Sequence, residues 1–75
     1  MSNVWTELLE LGIEKESIYP TVEKTFSPTP NLPKSQFREH VLLAVRKSTG
    51  KAFLADEAIQ VSLIADRIWD AWPNV

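Results

Sequence analysis

The sequence predicts an all-α fold, a compact bundle of three to four helices. Three observations carry that expectation. Apolar residues recur at helical spacing in four separate stretches. Glycine or proline punctuates the ends of most of them. Nowhere does a sustained period-two alternation meet hairpin turn chemistry.

The first helix is expected over about residues 3–11. Val4, Leu8 and Leu11 fall at i, i+4, i+7, with Trp5 and Leu9 flanking them. Ser2 or Asn3 can accept a bond from a free first-turn N–H, and Gly12 stands where a left-handed residue ends a helix. The second is expected over 17–26, capped by Ser17, with Ile18, Val22 and Phe26 on one face. Pro20 would then sit in the first turn, where a missing N–H costs no helix bond. Residues 27–33, SPTPNLP, form a proline-rich connector: three prolines in seven residues forbid helix and hold their predecessors extended.

The third helix is expected over 35–49, capped by Ser35 and stopped by Gly50. Phe37, Val41, Ala44 and Val45 share a face, with Leu42 at its margin. Arg46 and Lys47 in the last turn suit the helix dipole. The fourth is expected over 56–72, with Asp56 as cap and Pro73 as stop. Its arc of Ala58, Val61, Ala65, Ile68, Trp69 and Trp72, with Ile64 at the edge, makes it the main core helix.

The 75 residues make one small helical domain, since neither side of the connector is long enough to fold alone. With 44% hydrophobic and 24% charged residues the composition is that of a globule, not a disordered chain. A domain of this size buries only about 60% of its unfolded surface, so its core is thin. The longest apolar run, Val41–Val45, falls far short of the roughly 18–20 residues that span a bilayer. No membrane association is expected. The N-terminus has no positive n-region and no apolar h-region, there is no Asn-x-Ser/Thr sequon, and there is no cysteine. A cytoplasmic location is the expectation.

Little in the chain resembles catalytic machinery. His40 is the sole histidine, and thiolate chemistry is excluded. Asp66 and Asp70, at i, i+4, share a helix face, but neither a third ligand nor a pocket is implied, and adjacent Arg67 is placed to screen them. RKSTGKA, residues 46–52, fails as a phosphate-binding loop, because Val45 stands at the first glycine position and Ala52 follows Lys51. No enzymatic activity, cofactor or metal is expected.

Charge is patterned. Residues 1–33 carry five acids and two lysines, residues 34–53 five cations and one acid, and residues 54–75 four acids and one arginine. Intramolecular pairing of a basic third helix with acidic neighbours is the plain explanation. The functional alternative is a small nucleic-acid-binding regulator that uses the basic segment 34–51 through Arg38, Arg46, Lys47 and Lys51. The net charge of −2 ranks that alternative second.

The fourth helix poses the sharper question. Ile59 and Leu63 lie about 100–140° from its first core residue, Ala58, among Asp56, Asp66 and Asp70. Leu43 on the third helix likewise points among charges. Two arrangements account for this. Either the first helix or the proline-rich connector covers the strip, or the strip is an exposed interaction surface rimmed by charge. The leading functional expectation is a non-enzymatic protein–protein interaction module (an adaptor, inhibitor or assembly factor) that binds another protein or itself as a homodimer. Ile59 and Leu63 would be its anchors, Asp66 and Asp70 its rim, and Leu43 an extension.

Overall fold

The computed structural model describes residues 3–27, 29–50 and 52–75. Four helices follow one another: α1 Val4–Glu10, α2 Lys15–Phe26, α3 Lys34–Thr49 and α4 Ala55–Ala71. Among the described residues there is no strand.

α1 begins as its sequence implies. The Asn3 side chain accepts from the Thr6 N–H at 2.9 Å. It ends in a Schellman turn: Ile13 N–H donates to the Leu8 carbonyl and Gly12 N–H to the Leu9 carbonyl. Gly12 has φ +82°, a conformation that costs residues with a Cβ. The turn folds Ile13 back over Leu8, and both are fully buried. Ser2 lies outside the described residues.

The other three helix starts differ from expectation. α2 starts two residues before Ser17, with Glu14 as an extended entry residue and no side-chain cap. Pro20 is therefore inside the helix rather than in its first turn. Its missing N–H frees the Glu16 carbonyl, and both residues are exposed, so water can take that bond. α3 starts at Lys34 behind Pro33, leaving Ser35 inside the helix instead of capping it. α4 starts at Ala55, one residue before Asp56, and the Glu57 carboxylate reaches back to accept from the Leu54 N–H at 3.3 Å, half of a capping box. At the far ends, Gly50 closes α3 in the left-handed region, and Trp72, held extended before Pro73, closes α4. In the connector, Asn31 N–H donates to the Thr25 carbonyl at 3.1 Å, which ties the segment to the end of α2. Pro28 lies outside the described residues.

Each helix packs on its neighbour in sequence, and α1 closes the ring against α4. α3 and α4 run antiparallel, because Lys34 pairs with Asp70 while Arg38, one turn later, pairs with Asp66, one turn earlier. All four helices feed one core: Val4 and Leu8; Ile18 and Val22; Phe37, Val41 and Val45; and Val61, Ile64, Ala65 and Ile68, with Ile13 from the first turn. α2 and α4 stand diagonally across the ring, and aromatic rings bridge them. Phe26 stacks on Trp72 with centroids 5.2 Å apart and meets Trp69 at 5.1 Å and Phe37 at 5.3 Å. Tyr19 joins Trp72 to Trp5, and the Lys15 ammonium lies 5.2 and 5.0 Å from the Trp5 and Tyr19 ring centroids. No helix among the described residues is long and apolar enough to cross a membrane.

Candidate functional site

α4 lies between α1 on one flank and α3 on the other. Its inward face carries Val61, Ile64, Ala65 and Ile68. Its outward face carries Ile59 and Leu63, one turn apart and 58% and 59% exposed. Of the two arrangements the sequence allows, the open one is found. α1 flanks α4 without closing over these two side chains, and the described part of the connector is tied to α2.

Exposure alone does not set these two residues apart, since Leu9, Leu43 and Leu54 are also exposed. Leu9 also lines a groove, but Ile59 and Leu63 are two exposed aliphatics one turn apart on the same one. Together they line a shallow groove between α3 and α4 of about 270 Å³, with Arg38, Ala58, Ser62 and Asp66. On its other side Leu63 also lines a larger open groove between α1 and α4, about 560 Å³, with Glu7, Glu10, Leu11, Gln60 and Ile64. Leu63 is thus a crest between two grooves.

The expected rim is present, but its charges are engaged. The Asp66 carboxylate accepts from Nε of Arg38, and Asp70 accepts from Nζ of Lys34 at 3.0 Å. Arg67 does not screen this aspartate pair. It points to the other flank and donates to Glu7 on α1, because one residue along a helix is a turn of about 100°. Leu43, 53% exposed, is not brought to the strip: the residue that α3 contributes to the α3–α4 groove is Arg38.

The basic segment is split in the same way. Lys34 and Arg38 are spent on α4, while Arg46 and Lys47 are exposed in the last turn of α3 and have no ion-pair partner among the described residues. Lys51 lies outside the described residues. His40 is exposed and lines a groove with Thr21, Lys24, Thr25, Asn31 and Leu32, none of them a carboxylate that would orient an imidazole. Among the described residues no three of His, Asp and Glu gather closely enough to hold a metal ion.

Sequence reasoning did not reach Glu10, Leu11 and Gln60 as parts of one surface. Leu11 reads as core from its spacing and is half-buried at the groove floor. The available signal was the mismatch between a short first helix and a long fourth one, which must leave part of the long helix without a neighbour. Compared with family models, with characterised proteins and with solved structures, the chain matches none.

Proposed function

We propose that this chain is a non-enzymatic protein-interaction module, an adaptor, inhibitor or assembly factor, that binds through the outer face of α4. One observation carries the reading: Ile59 and Leu63 stand open on adjacent turns of a core helix, lining one groove together while Leu63 borders a second, beside ion-paired carboxylates. An apolar centre with a polar edge is the anatomy of a binding patch. The partner is another protein or a second copy. The module acts in the cytoplasm, where a chain without cysteine has no disulfide to lose.

The test is Leu63→Glu. An open side chain contributes little to the core, so the variant should keep its helicity and melt close to the wild type, within about ±0.5 kcal/mol. Sedimentation over a range of concentrations should show any wild-type dimer lost, and any heterologous complex should weaken in the same variant. Unfolding of Leu63→Glu would make Leu63 a core residue and remove the anchor of this reading.

A nucleic-acid-binding regulator draws support from Arg46 and Lys47, adjacent and exposed at the end of α3. That support is narrower, because Arg38 is committed to Asp66. Salt-dependent retardation of duplex or single-stranded probes, reduced by Lys47→Ala, would favour it. No retardation at low salt would remove it.

A further inference from the structure

α1 has seven residues and α4 seventeen, lengths of about 10 and 25 Å at 1.5 Å per residue. α1 therefore flanks less than half of α4. The groove of about 560 Å³ opens between the second half of α1 and the middle of α4, residues 60–67. Its apolar surface comes from Leu11, Leu63 and Ile64. Its charged surface comes from Glu7, Glu10 and Asp66 against Arg67. Glu7 is answered by Arg67 and Asp66 by Arg38, whereas Glu10 has no ion-pair partner among the described residues.

We infer that this groove receives one amphipathic helix of a partner protein, with basic residues along its flanks. The inference rests on the interface reading above and adds the shape and charge of the partner. Shape follows from backbone accounting. A peptide bound as an added strand needs a sheet edge with free N–H and C=O groups, and the described residues hold no strand. α1 and α4 recognise through side chains, which suits a helix whose apolar residues at i, i+3 and i+4 rest on Leu11, Leu63 and Ile64. Charge follows from the rim. Lysine or arginine beside those apolar residues meets Glu10 and the net acidic edge. A second copy suits the groove less well, because in a two-fold dimer the same patch meets itself and the acidic edge would face an acidic edge.

The experiment uses a displayed library of amphipathic helices about five turns long, with leucine on one face and randomised flanking positions. Clones are sorted for binding to the folded protein, and those that also bind Leu63→Glu are discarded. The retained clones should be enriched in lysine and arginine at the flanks relative to the unsorted library. A synthetic peptide from them should lose about tenfold or more in affinity for Glu10→Lys, a change at an exposed site, when read by fluorescence anisotropy. Its amide shift changes should fall on residues 7–11 and 60–67. Clones that depend on Leu63 but show no basic bias, and are indifferent to Glu10→Lys, would overturn the inference and leave the interface reading standing. A wild-type dimer dispersed by Leu63→Glu would do the same, with a second copy as the occupant. A library that yields no Leu63-dependent clone would overturn both.

Discussion

Phe37 and Leu63 are both large apolar side chains on long helices, and the fold treats them oppositely. Phe37 is fully buried against Phe26 and Trp69, while Leu63 stands open between two grooves. Phe37→Ala should cost about 3–5 kcal/mol through lost burial and a cavity that its neighbours only partly fill. Native stabilities are about 5–15 kcal/mol, and small domains sit at the low end, so this variant should keep only about 0–2 kcal/mol and unfold at much lower urea than the wild type in titrations followed by circular dichroism. Leu43→Ala, at an exposed site, should stay within about 0.5 kcal/mol of the wild type in the same titration. Helical spacing foretold Val4, Leu8, Ile18, Val22, Phe37, Val41, Val45, Val61, Ala65 and Ile68 as interior, because residues four apart lie on one face whatever the rest of the chain does. Ile13 escaped that logic. It sits in a turn with no period of its own, and the Schellman bonds place it over Leu8.

The four helices were legible as elements, and their C-terminal stops were legible too. A glycine that must go left-handed, at residue 12 or 50, or a proline after Trp72, acts on the chain locally. The starts were less legible. Ser17, Ser35 and Asp56 are good capping residues, yet α2, α3 and α4 begin one or two residues earlier, behind Glu14, Pro33 and Leu54. A side-chain cap is worth about 1 kcal/mol, less than packing gains by setting where the chain enters the bundle. The two cases separate by mutation. Asn3→Ala should lower stability by about 1 kcal/mol, because its side chain holds the Thr6 N–H. Ser35→Ala should be neutral or slightly stabilising, because Ser35 lies inside α3 and alanine is the better helix former. Paired thermal melts of the two variants check both.

For the whole molecule, the single core and the chain of aromatic contacts from Trp5 to Phe37 join all four helices. Unfolding should therefore be cooperative. Tryptophan fluorescence, which reports on α1 and the end of α4, should trace the same transition as helix circular dichroism. Two separated transitions would mean that α1 or the C-terminal turn melts independently of the rest. The alternation of acidic and basic segments was visible in the sequence, and its outcome is the α3–α4 pairing of Lys34 with Asp70 and Arg38 with Asp66. These pairs are partly exposed and hold register more than they stabilise, roughly 0–1 kcal/mol each. The partners of individual charges were not visible. Arg67 stands next to Asp66 in sequence but binds Glu7, sixty positions away.

Helical class, the positions of four helices and most of the interior were determined by the sequence alone, because apolar spacing, proline and glycine act through local backbone geometry that every copy of the chain carries. The tertiary structure decided what lies over each remaining face. It left Ile59 and Leu63 open, turned Arg67 from the aspartates to α1, withheld Leu43 from the strip, and made a groove from Leu11, Leu63 and Ile64. Those outcomes depend on which helix stands beside which and on how far α1 reaches along α4, and such contacts join residues whose spacing along the chain carries no record of them.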